Sequence, residues 1–417
     1  MSPDGAAEVG DGRRAVVVGG SLAGLSAANW LTATGWQVEV LERVRRPLED
    51  RGAGIVLHPS TSRFLTEEQG LALDDFSVGV DHLRYVGADG SIVAQSPSRL
   101  RFAAYGALYR SLRQSLDERG ARYTHGAHVT GVATADGEGP GGASASPLVV
   151  TVADDSDDGD GGERTAALVV GADGVHSTVR RVVLPEVVPA VAGYVAWRGV
   201  LGEDELPEAA RRPLAGAITY TILEHSHILT YPILTAAGRM LRNWVWYRNL
   251  SAPGELDDLL VDRAGERHSL SVPAGAVRSE LLEDLVETAE RNLPPPISAL
   301  VGMTTDPFVQ VMVDVDPPRM AFGRVCLLGD AGFVARPHAA AGTAKGTEEA
   351  WLLARSLADP ATDPAEALAA WERQVLDLGA ALVARSRRAG ERAQYEGTWE
   401  VGEPLPFGLR KAGDSEY

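Results

Sequence analysis

Residues 15–43 read AVVVGGSLAGLSAANWLTATGWQVEVLER, and their order decides the fold. Four apolar residues at 15–18 make a buried strand, the glycines of GGSLAG make a tight turn, and Leu25, Ala28 and Leu31 recur at helical spacing over 22–34. A second apolar run at 36–41 ends in Glu42 and Arg43. Strand, glycine turn, helix, strand and acid in this order form the unit that holds an ADP moiety. Gly19 makes the turn, Gly24 lets helix and strand pack closely, and the helix N-terminus faces a pyrophosphate. Glu42 stands about twenty residues beyond the turn, where the acid that holds an adenosine ribose is expected. Ser21 replaces the middle glycine of the usual G-x-G-x-x-G pattern. A tight turn without a ligand would carry the same glycines; strand context and the placed acid favour binding.

Two later segments repeat the theme of an acid just beyond a strand. The apolar run at 325–328 ends in Gly329-Asp330, then a Pro-His and small-residue loop over 336–343 leads into a helix from near Gly342. That loop lets backbone approach a ligand closely, with the first helix amides aimed at it. The run at 168–170 leads into GADGVHSTVRR, placing Asp173 at a strand end before a helix near Ser177.

Between these segments the chain changes character. GYVAWRGV, GAITYTIL, HILTYPIL and LRNWVWYRNL, within 193–250, are aromatic and β-branched runs separated by turn signals, which predicts a largely antiparallel sheet. Its aromatic residues alternate between faces, so one face suits an aromatic ligand, and an ordinary sheet core has the same pattern. His225 and His227 are expected on one strand face; with no third ligand nearby in sequence, no metal is assigned. His58 ends a strand-like stretch at 51–58 and reads first as a histidine satisfied by neighbouring backbone. A helix over 108–119 carries Arg110, which is usually solvated there but has the reach for a cofactor phosphate. The runs 121–132 and 148–152 read as paired strands with loops between and after them, and the acidic Asp157-Asp158 is assigned no chemistry. Helices are expected over 256–261 and 279–291, with the proline run at 294–296 ending the second. A strand follows at 308–315, a long helix at 364–393 and an extended arm at 395–417.

The 417 residues, 45% hydrophobic and 23% charged, can bury a large core. A net charge of -18 argues against nucleic acid or an anionic membrane as partner, since a phosphate surface demands a basic footprint. The single cysteine, Cys326, lies inside an apolar strand and packs as a small hydrophobe, which fits a reducing cytoplasm. The opening residues, with Asp4, Glu8 and Asp11, lack a signal-peptide pattern, and no window reads as a membrane span.

The three acid-bearing strand ends, in this order, resemble those of the single-component FAD-dependent aromatic hydroxylases, the group that includes p-hydroxybenzoate hydroxylase. VVGGSLAGL, GAGIV, GADGVHSTVRR, AGYVAWRGVL, YPI, NWVWYRN, GRVCLLGDAGFVARPHAAAGTAK and EPLPFGL narrow the likeness to 2,6-dihydroxypyridine 3-hydroxylase and its relatives. The resemblance implies an α/β fold. A Rossmann-like FAD-binding domain would occupy 12–190, a mostly antiparallel substrate-binding sheet 191–318, a return to the FAD domain with a long helix 319–394, and a C-terminal arm 395–417. It implies an enzyme that uses FAD, NADH or NADPH, and O2 to hydroxylate an electron-rich phenolic or hydroxypyridine-like ring through a C4a-hydroperoxyflavin. A flavin reductase or dehydrogenase without oxygen insertion is the alternative, and a flavin-binding module without turnover a further one.

By the same resemblance Gly19, Ser21 and Gly24 sit against the FAD diphosphate, Glu42 with Arg43 at the ribose, and Val129 at the adenine. Asp330 holds a ribityl or diphosphate oxygen, Asp173 serves FAD and the nicotinamide cofactor, and Pro337, Ala341 and Gly342 line the flavin ring's site. His58, His225 and His227 are candidate proton acceptors; Tyr194, Arg198, Tyr231 and Trp246 are candidate substrate contacts. Tyr105 and Lys345 depart from the wider group, which often has arginine and asparagine at these positions. Partners are confined to a small aromatic substrate and, at most, a second copy in a homodimer.

Overall fold

A computed structural model describes residues 13–50, 54–137, 139, 146–153, 161–250, 252 and 254–414. Asp4, Glu8, Asp11, Asp157 and Asp158 lie outside the described residues. The strand Arg14–Val18 is the centre of a six-stranded sheet because it is apolar on both faces. It pairs in parallel with Gln37–Glu42 on one side and Leu168–Gly171 on the other. Arg122–His125 and Val325–Leu327 extend the parallel array outward, and the short Ala321–Phe322 closes one edge antiparallel. The chain thus leaves the central strand to one side and later returns on the other. This is the switch point beyond whose carboxyl ends open α/β sheets bind ligands. Gly19, Glu42, Asp173 and Asp330 all follow or end strands at that edge.

Two glycines let the first strand and helix meet. Gly19 has φ +102°, and a Cβ there would lie 2.3 Å from the Ala172 carbonyl oxygen, so a side chain is excluded by both conformation and space. A Cβ on Gly24 would lie 1.9 Å from the Gly19 carbonyl oxygen, so helix Leu22–Ala33 can seat on the turn only with glycine. Helix Gly342–Ser356 packs against that first helix. The long helix Pro364–Glu391, opened by Asp363 accepting from the Ala365 and Glu366 amides, packs on Gly342–Ser356 in turn.

The second body is an eight-stranded sheet, ordered Ser271–Val272, Phe308–Asp314, Ala190–Gly202, Met240–Asn249, Ser226–Leu234, Ala217–Leu223, His82–Val86 and Ile92–Pro97. Its one parallel contact joins Ala217–Leu223 to His82–Val86. The hairpin over 82–97 therefore belongs to this sheet although it lies within 12–190, so the expected boundary at 190/191 does not separate the sheets. One face packs with helices Glu208–Leu214, Ser279–Asn292 and Pro295–Met303. The other turns toward the six-stranded sheet's carboxyl edge.

Three local expectations are corrected. The run 121–132 is two elements: Arg122–His125 joins the parallel sheet, and Val129–Thr134 pairs antiparallel with Leu148–Val152. The prolines at 294–296 do more than end a helix; Pro294 is the N-cap of a new one, Pro295–Met303, because missing N–H groups cost nothing in a first turn. His225 is not on a strand face with His227. It sits with φ +55° in the two-residue turn between Ala217–Leu223 and Ser226–Leu234.

Candidate functional site

Strand alternation and pairing register divide the aromatic residues of the large sheet. Trp197 pairs with Trp246, and Gly199 with Trp244, so all three tryptophans lie in the core beneath the helices. Ala196 pairs with Tyr247 and Arg198 with Val245, which puts Tyr194, Arg198 and Tyr247 on the opposite face. Tyr220 and Tyr231 join that face from neighbouring strands. Across from it stand Gly54–Val56 and the loop over 337–343, and the space between is a cavity of about 230 Å³. Trp399 and Phe407 of the C-terminal arm cover it. A 150 Å³ apolar cavity holds benzene, so this volume accommodates a single substituted ring.

The loop is held rigidly. Arg336 makes a bidentate salt bridge to Asp314 at 2.7 Å, and Arg387 of the long helix reaches the same carboxylate at 3.1 Å. The guanidinium of Arg336 also lies over the Tyr194 ring, 5.6 Å from its centroid. His338, two residues on, lines the cavity, and its Nε2 is 2.7 Å from the Tyr194 hydroxyl. His227 stacks on Tyr247 with ring centroids 4.6 Å apart, and its Nδ1 lies 3.1 Å from Nε2 of Gln394. The two imidazoles are 5.4 Å apart.

Burial governs the charge of these groups. Desolvation, with Arg336 nearby, pushes the His338 pKa down to about 3, and desolvation with His338 nearby holds His227 well below the usual histidine range. Desolvation also raises the phenols: Tyr231 to about 12, and Tyr194, Tyr220 and Tyr247 further still. At neutral pH the imidazoles and phenols are therefore all uncharged.

The strand-end edge fits FAD on three observations. Helix Leu22–Ala33 has no side-chain cap at Ser21 and no acid in its first turn; helix Gly342–Ser356 likewise has none at Ala341. Both leave first-turn amides and a positive dipole end for an anionic ligand. Around Gly342 a Cβ would meet nothing within 4 Å, and Gly342 and Thr343 line the cavity. The exposed Asp330 carboxylate makes no hydrogen bond or salt bridge among the described residues, so it is free for a ligand hydroxyl.

Other expected contacts are engaged locally. Glu42 accepts from the Gly20 and Val44 amides, each at 2.8 Å. Asp173 accepts from Ser177 and from the Thr178 and Val179 amides, which caps helix Thr178–Val183. Ser21 bonds Tyr105 at 2.8 Å, and Val129 is buried where its strand starts. Arg43 is exposed, and Arg110 pairs with Glu49 at 2.7 Å. Lys345 is fully buried, donating to the Gly329 carbonyl at 2.8 Å with Glu349 3.5 Å away.

Of the expected substrate-side residues, Arg198, Tyr231 and His227 line the cavity together with Pro337 and Gly342, and Tyr194 stands behind His338. Trp246 does not line it: register turns it to the helix-covered face, where its Nε1 donates to Ser226 at 3.0 Å. His58 is the N-cap of helix Pro59–Arg63, its Nδ1 accepting from the Ser60 amide, and it does not line the cavity. His225 faces a separate surface recess beside Gly397. Sequence reasoning missed His338, Tyr220, Trp399 and Phe407 as lining residues, and left open whether Tyr247 or the tryptophans of its strand face the ligand. The signal for His338 was its place in RPHAAAG; the others depended on register and on how the arm folds back.

Residues 191–314 match the family model described as FAD binding domain-like. Over 413 residues the chain is 34% identical to the 2,6-dihydroxypyridine 3-monooxygenase of Paenarthrobacter nicotinovorans, covering 96% of this chain and 97% of that one. It is 27% identical to the 6-hydroxynicotinate 3-monooxygenase of Pseudomonas fluorescens, with 82% of each chain covered. The solved structure of 2,6-dihydroxypyridine-3-hydroxylase from Arthrobacter nicotinovorans superimposes with a TM-score of 0.86 at 34% identity, covering 96% of this chain and 98% of that one.

Proposed function

The chain belongs to the single-component FAD-dependent aromatic hydroxylases, and from that membership we propose that it hydroxylates a single phenolic or hydroxypyridine-like ring, using NADH or NADPH and O2. The observation that carries this reading is the cavity itself. On one side is the uncapped N-terminus of helix Gly342–Ser356, on the other a sheet face of tyrosines and histidines, and the space between suits one ring.

When bound, FAD supplies reduction by the nicotinamide cofactor and activation of dioxygen for transfer of one oxygen atom to the ring. Gly19, Ser21 and Gly24 would hold its diphosphate, Glu42 and Arg43 the adenosine ribose, Val129 the adenine, and Asp330 a ribityl or diphosphate oxygen. Asp173, which caps helix Thr178–Val183, would serve FAD and the nicotinamide cofactor, and Arg110, paired here with Glu49, would serve a cofactor phosphate on releasing it. Pro337, Ala341 and Gly342 bound the ring, where the helix dipole favours negative charge.

The cavity's own residues do three things. Tyr220, Tyr231, Tyr247, Trp399 and Phe407 exclude water and leave a flat slot for an aromatic ring. Tyr231, whose hydroxyl donates to the Gly54 carbonyl at 2.9 Å, fixes one wall. The Tyr194–His338 pair holds a proton on either the phenolic oxygen or Nε2, so Nδ1 of His338 can meet a ring hydroxyl as donor or as acceptor. His227 is the second neutral imidazole at the same ring.

Purified protein loaded with FAD is expected to oxidise NADH or NADPH faster when a hydroxypyridine or hydroxybenzoate is added, and to place oxygen-18 from labelled dioxygen in the product. Failure to bind FAD, or substrate turnover that proceeds without dioxygen, overturns the proposal.

A further inference from the structure

His227 lines the cavity with its ring set between two aromatic neighbours: it stacks on Tyr247 with centroids 4.6 Å apart and meets Trp399 edge-on at 4.7 Å. That packing fixes the plane of the imidazole but not which of its nitrogens carries the proton. The choice is made from behind. Gln394, fully buried and outside the cavity lining, places Nε2 of its side-chain amide 3.1 Å from Nδ1 of His227. Gln394 is itself held in the turn Arg392–Glu396 that follows the long helix: its carbonyl accepts from Nδ2 of Asn249 at 2.6 Å, and the next residue, Tyr395, donates to the Ala192 carbonyl at 2.5 Å. His227 makes no other hydrogen bond among the described residues, so its Nε2 is left for the ring compound. The amide's direction follows from its surroundings. As it stands the amide nitrogen has a partner, and the oxygen Oε1 is buried without one. Turned over, the nitrogen would lie there with both N–H groups unmet, and bare buried N–H groups are the rarer defect in proteins.

We infer that Gln394 is a positioning residue: its amide keeps Nδ1 of His227 an acceptor, so that Nε2 carries the proton and donates a hydrogen bond to the ring compound. A neutral imidazole has one N–H, and the hydrogen bond made at one nitrogen decides where that proton is. His227 is neutral because burial, with His338 nearby, holds its pKa well below the usual histidine range. This rests on the cavity being the hydroxylation site, and it adds a requirement on the substrate: the atom opposite His227 is a hydrogen-bond acceptor, either an oxygen substituent or an unprotonated ring nitrogen. The two imidazoles thereby differ. His338 shares its proton with Tyr194 and can offer or take one, whereas His227 only offers. Both are set from the same helix end. Gly390 carries no side chain to press on Tyr194 and His338, and Gln394, one turn further on, reaches His227.

The test uses the FAD-loaded protein with nitrogen-15-labelled histidine and two uncharged single-ring probes: pyridine N-oxide, which only accepts hydrogen bonds, and pyrrole, whose N–H only donates one. In the nuclear magnetic resonance spectrum of the wild-type protein, His227, identified by the signals lost in His227→Gln, is expected as the Nε2–H tautomer. Gln394→Met keeps the bulk of the side chain and removes its donor, which frees the imidazole to take either tautomer. It is therefore expected to shift the ratio of the two affinities roughly five-fold toward pyrrole, because the wild-type protein can accept from pyrrole at Nε2 only by setting two N–H groups against each other. A gain for a donor probe is an effect that loss of packing alone does not produce. An Nδ1–H tautomer in the wild-type protein overturns the inference, and so does an equal change for both probes, which would leave Gln394 a packing residue only. Should Gln394→Met not fold, the wild-type tautomer decides. These readouts need no turnover, so they stand or fall separately from the labelled-oxygen experiment.

Discussion

The hydroxyl of Tyr194 and Nε2 of His338 meet at 2.7 Å although 144 positions separate them in sequence. One comes from the central strand of the large sheet and the other from the loop that follows the FAD-side strand end. The long helix leaves room for the pair at Gly390, where a Cβ would lie 2.5 Å from the Tyr194 hydroxyl and 2.9 Å from His338 Nε2. Tyr194→Phe should lower kcat by roughly ten- to a hundred-fold while FAD content stays intact. Gly390→Ala, whose Cβ would press on both partners of the pair, should give a loss in the same direction. Steady-state rates and flavin absorbance check both; an unchanged kcat in both variants would remove the pair from the chemistry.

The same burial makes the fold sensitive to acid. His338 and His227 titrate in the unfolded chain near pH 6.5 but stay neutral in the folded one down to about pH 3 for His338 and well below 6.5 for His227. Between those limits the unfolded state binds more protons, so stability is lost as pH falls below about 6.5, by up to about 1.4 kcal/mol per pH unit for each group. Denaturant midpoints at successive pH values should fall in this way, and His338→Leu should flatten the slope.

The Asp330 carboxylate accepts no hydrogen bond and forms no salt bridge among the described residues, and desolvation holds its pKa above the usual carboxylate range against the pull of Lys345 and Arg180. Asp330→Ala should raise the FAD dissociation constant by roughly ten- to a hundred-fold, the value of a hydrogen bond to a charged group, with little change in the melting temperature of the flavin-free protein. Fluorescence titration with FAD reads the first and thermal unfolding the second.

Neighbouring residues on one strand should separate stability from substrate handling. Trp246 lies in the helix-covered core at 2% exposure, so Trp246→Ala should cost about 3–5 kcal/mol of stability and leave KM of the folded fraction unchanged. Tyr247→Phe keeps the packing but changes a cavity wall, and should alter KM with little loss of stability.

Lys345 and Glu349 form a fully buried pair under the Gly329 turn, where desolvation raises the glutamate's pKa despite the lysine beside it. Lys345→Met should destabilise by about 3–5 kcal/mol because it strands the carboxyl group, and adding Glu349→Gln should restore part of the loss. Urea unfolding of the two variants distinguishes this from a simple cavity effect, in which the second change would restore nothing.

Much of the nucleotide half was legible in sequence because its determinants are local. Gly19, Gly24, Glu42 and the valine run at 15–18 act over one strand, turn and helix, and a glycine that must admit a neighbouring backbone announces itself. Asp173 and Asp330 were legible for the same reason, each lying just past a short apolar strand. The helix beginning at Gly342 could also be read from its small-residue approach.

The substrate side was decided by tertiary structure. Alternation alone shows that Trp246 and Tyr247 face opposite ways, but which of them meets the cavity depends on the pairing of Ala196 with Tyr247 and Trp197 with Trp246. A slip of one residue would exchange the two faces. His338 acquires its partner through a contact between distant segments, and Trp399 and Phe407 reach the cavity because the C-terminal arm folds back over it. Residue type and spacing thus determined the strand, glycine turn and helix of the nucleotide half. Only the register of a sheet and the closure of long-range contacts decided what surrounds the ring, because those depend on which faces are buried together.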